Sequence, residues 1–342
     1  MTPQAALGRL VGGDSLAEDE MAALMTALLD GQMTPAQIGA IAVALRMKGE
    51  SEAELAGAAR AMRAHMTRVE GAPAGAVDTC GTGGDGAATL NVSTAAGLVV
   101  AAAGVPVAKH GNRAASGSVG GADVLEGLGV RLVLDPAAAS ACLREVGFVF
   151  LFAPAFHPAL RHAAAPRREL GVRTFFNLIG PLANPAGVGR QVIGVAERRW
   201  VLPLAHVLQR LGAERAWVVH GAVGLDELAL SGESLVADVT PGAVDTRTVR
   251  AADAGVPSAP LAALRVTSVA DAVARVRAVL AGEHGPARDV VCLNAAAALV
   301  VGGAARDLRD GAGQAARAID GGAATALLER LVAFTQARGS GA

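Results

Sequence analysis

At Ala76 the chain changes rhythm, and that change limits the folds open to it. Residues 1 to about 70 read as helices only. Three capping-box signatures mark helix starts there: Ser15 with Glu18, Thr34 with Gln37, and Ser51 with Glu54. In each, the hydroxyl accepts a backbone N–H and the acid or amide three residues on reaches back. Between these caps apolar residues recur at helical spacing, as in Met21, Leu24, Met25 and Leu28. From Ala76 short apolar strands alternate with helices. Strands are expected at Val105–Ala108, Arg131–Leu134, Phe148–Phe152, 190–195 and 215–220. A buried helix is expected to end at 99–103 and another to begin at Asp123. A third runs from an Asp135 cap to about Val146, where Gly147 closes it. This predicts an α/β fold: a small all-helical domain plus a larger α/β domain with a mainly parallel central sheet, buried on both faces.

Residues 158–187 interrupt the alternation with a basic helix and a turn from Gly180-Pro181 to Asn184-Pro185. The expected division is therefore discontinuous. Residues 1–74 with 158–187 form the helical domain, and 75–157 with 188–342 the α/β domain.

Composition excludes several classes of function. Hydrophobic residues are 52% of the 342 and charged residues 18%, enough apolar chain for a substantial core. Thirty basic residues against 31 acidic ones leave a net charge of −1, so nothing draws the whole molecule to nucleic acid or an anionic membrane. With two Trp and no Tyr, base-stacking platforms are not expected. Cys80, Cys142 and Cys292 are far apart, which indicates neither a zinc site nor a disulfide framework. The start MTPQAALGRL lacks a basic segment followed by an apolar core. The longest uncharged apolar run, Ala95–Ala108, is short for a membrane span and is broken by Gly104 and Pro106. A soluble, cytoplasmic protein is the expectation.

Chemistry concentrates between Asp78 and Gly129, where three Gly-rich turns carry clustered polar residues. Gly81-Thr82-Gly83-Gly84-Asp85 can expose consecutive N–H groups as an anion nest, although an ordinary turn would read the same. It is neither a Walker loop nor a Rossmann fingerprint. Asn91, Ser93 and Thr94 open the apolar helix at 95–103, and capping needs only one of them. A helix N-terminus with spare hydroxyls suits phosphate, and a hydroxyl can ligate Mg²⁺. Lys109 and His110 close a strand, at the edge where open α/β sheets bind ligands. Alone, each could be a solvated charge or a core histidine. Before Gly111-Asn112-Arg113, with Ser116 and Ser118 beyond, they read as a second anion-contacting loop.

GTGGDG, NVSTAAG, KHGNRAASG and ADVLEGLG, in that order, resemble the anthranilate phosphoribosyltransferase family. So do HPALRHAAAPRRELGVRTFFNLIGPLANPA, WVVHGAVGLDEL, LNAAAAL and the early RMKGESEAELAGAARAMR. The match spans nearly the whole chain. The resemblance implies transfer of a phosphoribosyl group from phosphoribosyl pyrophosphate (PRPP) to the amino group of anthranilate, with Mg²⁺. Gly81, Gly84 and Asp85 in the first loop match PRPP-binding positions, as do Thr89, Asn91, Val92, Ser93 and Thr94 at the helix start. The second loop adds Lys109, His110, Gly111, Arg113, Ala114, Ala115, Ser116 and Gly117, with Gly121 beyond it. Ser93, Asp226 and Glu227 match the metal positions. Gly81, Asn112 and Arg167 match anthranilate contacts, with His110 and His157 along its path.

The family implies a homodimer through the helical domain. No covalent nucleophile or general base is implied, and Cys80 reads as packing. The chain departs from the family pattern at Leu90, Gly121, Phe156, Pro166 and Val223, where Phe, Ser, Tyr, an aliphatic residue and Asp are common. Two other readings stay open: a pyrimidine nucleoside phosphorylase, and a non-catalytic relative that binds nucleic acid. The adjacent Asp226-Glu227 and the balanced net charge favour PRPP and Mg²⁺ over both.

Overall fold

The structure, a computed structural model, describes residues 1–114 and 119–338. Four helices come first: α1 (Pro3–Val11), α2 (Glu18–Leu29), α3 (Pro35–Lys48) and α4 (Glu52–His65). Two of the expected capping boxes form. Thr34 and Gln37 exchange bonds of 2.9 and 3.3 Å, and Ser51 and Glu54 do so at 2.7 and 3.2 Å. The first does not form, because α2 starts two residues later, with Ala17 at its N-cap. Glu20 accepts the Ala17 N–H at 2.8 Å, and the Ser15 hydroxyl takes the Lys48 ammonium at 3.1 Å. Leu16 explains the shift. Its side chain is 1% exposed and its N–H is held by buried Glu54 at 2.9 Å, so the chain stays extended past Ser15.

The α/β part contributes β1 (Val77–Gly81), α5 (Val92–Ala102), β2 (Val107–Gly111), α6 (Gly121–Gly127), α7 (Pro136–Val146) and β3 (Phe148–Phe152). The interrupting segment follows as α8 (Ala153–Phe156), α9 (Arg161–Leu170) and α10 (Phe175–Ile179). Then come β4 (Arg190–Gly194), α11 (Val201–Arg210), β5 (Arg215–His220), β6 (Ser234–Val239) and β7 (Val244–Val249). The chain closes with α12 (Val269–Leu280), α13 (Pro286–Gly302), α14 (Leu308–Asp320) and α15 (Ala323–Ala337).

The strands form one sheet in the order β3-β2-β1-β4-β5-β6-β7. The first five run parallel, and β5–β6 and β6–β7 are antiparallel. The β6–β7 hairpin was not anticipated. The strand expected at Val105–Ala108 lies two residues later, and Arg131–Leu134 is not a strand. Leu132 and Leu134 are buried while Val133 is 57% exposed, an alternation that mimics a strand. The backbone there is tied to α15, through Arg131 N–H to Thr335 at 3.2 Å.

Two apolar cores flank the sheet. One joins α5, α7, α13 and α15 to β1–β3. The other runs without interruption from α2–α4 through α11 to Ile193 and Val218 on the sheet. Helix α9 packs on α2 and α3, and α10 packs on α3 and α4. At the far edge, Asp245–Thr248 of β7 are exposed. Among the described residues no helix is long and apolar enough to cross a membrane.

Candidate active site

A cavity of about 330 Å³ opens at the C-terminal ends of β1 and β2. Its walls come from Gly81–Asp85, Ala88–Ser93, Lys109–Ala114, the α9–α10 segment and Asp226-Glu227. In the first loop Gly83, Gly84 and Gly86 all have positive φ, at 63°, 82° and 66°, a conformation glycine adopts at little steric cost. Asp85 accepts the Ala87 N–H at 3.1 Å, which closes the turn.

The carboxylate pair reaches this loop from far along the chain. Asp226 accepts the Gly83 N–H at 2.8 Å, and Glu227 accepts the Ser93 N–H at 3.0 Å at the start of α5. Three strand-end glycines make that crossing possible. A Cβ on Gly81 would sit 2.7 Å from the Asp226 carboxylate, and one on Gly194 or Gly221 would overlap the Asp226 or Glu227 carbonyl oxygen. Asn294 on α13 fixes the next residue, exchanging bonds of 2.9 and 3.0 Å with the Leu228 backbone. Burial pushes both carboxyls well above the usual range. Asp85 adds to the effect on Asp226, and Asp226 to that on Glu227.

Lys109 is 3% exposed. Its ammonium donates to the Thr79 carbonyl and to the Ser93 hydroxyl at 3.2 Å. Burial lowers its pKa and the charge of Asp78 opposes that. Asp78, fully buried on β1, accepts the His110 N–H at 3.1 Å and the Asn184 amide at 2.8 Å. Asn91 precedes α5 without a side-chain cap bond. It accepts from the buried Thr94 hydroxyl and donates to the Val119 carbonyl at 3.2 Å. Gly121 is small because it packs there: a Cβ would lie 2.8 Å from the Thr94 hydroxyl.

The opposite wall is less polar. The Arg167 guanidinium lies over the Phe176 ring, 5.0 Å from its centroid, and burial lowers its pKa. Arg161 and Arg168 on the same helix are exposed. Behind His110 sits His157, with ring centroids 5.0 Å apart. Among the described residues neither Nε2 has a partner. Burial pulls His110 down to about 3 and His157 to about 4, so both rings are neutral near pH 7.

The structure thus brings most of the anticipated residues to one cleft. Thr94 and His157 stand just behind its wall. Arg113 faces outward to Asp123 and Glu126 at 2.8 and 2.9 Å. Ala115, Ser116 and Gly117 lie outside the described residues. Cys80 is buried, with its thiol pushed well above its usual range by burial, which fits packing. Sequence reasoning missed Asp78, Asn184, Asn294 and the glycine seats. Arg173 falls within the interrupting stretch 158–187, but no spacing signal separated it from the other arginines there.

Comparison with known proteins finds matches to both parts of the chain. Residues 4–66 match the model of the glycosyl transferase family helical bundle domain. Residues 73–325 match that of the glycosyl transferase family a/b domain. An anthranilate phosphoribosyltransferase of Rhodopseudomonas palustris (strain BisB18) is 50% identical over 331 residues, covering 97% of each chain. The chain belongs to the anthranilate phosphoribosyltransferase family. The crystal structure of the family's enzyme from Thermus thermophilus superposes with a TM-score of 0.91 at 44% identity, covering 97% of this chain and 99% of that one. A more distant member, from Saccharomyces cerevisiae in complex with PRPP and Mg, shares the fold at a TM-score of 0.88 and 24% identity over 98% of each chain. Membership in this phosphoribosyltransferase family covers both the helical bundle and the α/β part.

Proposed function

We propose that the protein transfers the 5-phosphoribosyl group of PRPP to the amino group of anthranilate, giving N-(5-phosphoribosyl)anthranilate and pyrophosphate. The observation that carries this is the meeting of the glycine-rich loop, the α5 start and the Asp226-Glu227 pair in one cavity, with Arg167 on its far wall. Gly81–Asp85 and Asn91–Ser93 would cradle the diphosphate, with Lys109 neutralising charge from beneath. Pyrophosphate is a good leaving group only when its charge is stabilised as it forms.

The site fits Mg²⁺. Asp226 and Glu227 each offer an oxygen beyond the one bound to a backbone N–H, the Ser93 hydroxyl lies between α5 and Lys109, and such hard oxygen donors suit that ion. When bound, Mg²⁺ would neutralise the diphosphate. Arg167 presents a planar fork matched to the anthranilate carboxylate, and Asn112 stands at the same mouth. The acceptor amine is an aniline, neutral at pH 7, so positioning rather than a general base does the work. Neutral His110 lines that side with neutral His157 behind it, and neither adds charge.

Residues 1–74 with 158–187 form, in this reading, a helical domain that closes on the α/β part and excludes water. Two such chains would pair through their helical domains, which expose Val11, Met47 and Val172 at 74%, 83% and 59%. The three cysteines are free and buried, which fits a reducing cytoplasm.

The test is the loss of anthranilate fluorescence on mixing protein, PRPP and anthranilate, with Mg²⁺ or with a chelator. Turnover is expected with Mg²⁺ alone. Absence of turnover with Mg²⁺, or phosphorolysis of thymidine or uridine instead, would overturn the assignment.

A further inference from the structure

Arg173 crosses the cleft from the segment between α9 and α10, and nothing above gives it a role. It follows Gly171, whose left-handed backbone ends α9. Its Nη2 donates to the Thr82 carbonyl at 2.9 Å. The guanidinium lies against the backbone of Gly84, where any Cβ would overlap it.

That carbonyl belongs to the peptide joining Thr82 to Gly83. The N–H of the same peptide is bound by Asp226 at 2.8 Å. Because the peptide is planar and trans, its C=O and N–H point opposite ways. One peptide is therefore gripped by a cation on one side and a carboxylate on the other. Neither partner is local: Asp226 comes from beyond β5, and Arg173 comes from the segment packed on α2–α4. The loop needs such a grip. Glycines at 83, 84 and 86 lose more freedom on ordering than other residues do, and their missing side chains supply no packing. The Gly83 N–H is taken by Asp226, so a shift of this peptide would carry the amides that follow it, of Gly84 and Asp85, away from an anion.

We propose that Arg173 is a positioning residue for PRPP: it fixes the Thr82–Gly83 peptide so that the glycine-rich loop presents its N–H groups to the diphosphate. This rests on the PRPP reading of the cleft. Arg173 governs the donor substrate, whereas Arg167, earlier in the same segment, governs the acceptor.

The experiment compares wild type with Arg173→Ala, Arg173→Lys and Arg167→Ala. Losing a charge-assisted bond corresponds to about tenfold or more. Arg173→Ala should raise the KM for PRPP by about that factor and leave the KM for anthranilate within about twofold. Arg167→Ala should do the reverse. Arg173→Lys, which keeps one donor and the charge, should restore part of the loss. Hydrogen exchange without any ligand gives a readout that needs no turnover. Amides of residues 83–87 should exchange about tenfold faster in Arg173→Ala, with α5 and α13 unchanged. Calorimetry with magnesium pyrophosphate as the probe should show the same weakening. Unchanged loop exchange, or equal rises in both KM values, would overturn the proposal. A wild type that binds magnesium pyrophosphate but does not consume anthranilate would instead sink the functional reading. If Arg173→Ala does not fold, Arg173→Lys decides by the same two readouts.

Discussion

Single residues in this cleft set charge by burial more than by pairing. His110 and His157 show it most clearly. Each is held near 3 to 4 in the folded chain against a usual value of 6.5, chiefly by burial. Unfolded, both rings take up protons below about 6.5; folded, they refuse them until far lower pH. The stability they contribute is thus present above 6.5 and lost as pH falls toward 4. At pH 5 the penalty is about 2 kcal/mol per ring. Urea midpoints measured at pH 7.5 and 5.0 should therefore fall further in wild type than in a His110→Asn/His157→Asn variant. Parallel falls in the two proteins would show that the rings are not buried neutral. Burial also lowers the Lys109 ammonium, but there the charge of Asp78 opposes the shift.

At the level of elements, the site depends on one loop lying flat across the ends of three strands. Gly194 ends β4 directly beneath the Asp226 carbonyl. Gly194→Ala should push the carboxylate loop off its seat and destabilise the fold by about 1–3 kcal/mol, as overpacking usually does. Gly313→Ala inside α14 meets nothing nearer than 3.4 Å and should be neutral or stabilising by about 0.5–1 kcal/mol. Equal urea midpoints for the two variants would remove the seat from the account.

These elements also show what the sequence revealed and what it did not. The helix starts at Thr34, Ser51 and Asp135 were legible because a cap is a local bargain between residues three apart. So were the glycine-rich loop and the Lys109 loop, since both follow strands in an alternating pattern. The grip of Arg173 and Asp226 on one peptide was not, because its partners lie 91 and 143 positions away and no periodicity links them. Arg131–Leu134 misled because alternating burial can be met by a helix layer as well as by a neighbouring strand. The β6–β7 hairpin had a signal that went unused: alternating segments either side of Pro241-Gly242.

Over the whole molecule, the apolar core that runs from α2–α4 through α11 makes the helical part continuous with the sheet that carries the cleft. Pairing through that part would set two clefts at fixed positions in one particle. Sedimentation velocity should show a species of twice the 34.0 kDa chain mass, and Met47→Glu with Val11→Glu should shift it toward the monomer. A wild type that sediments as a single chain at micromolar concentration would rule this pairing out. The two ends of the sheet bear on how copies meet. At one end β3 is buried, and at the other β7 shows water an alternation of Asp245, Thr246, Arg247 and Thr248. A strand edge with opposite charges two residues apart is a poor template for a neighbour's backbone. The sheet therefore resists growing into a fibre, and crowded copies of the chain are left to recognise one another by side chains rather than by backbone.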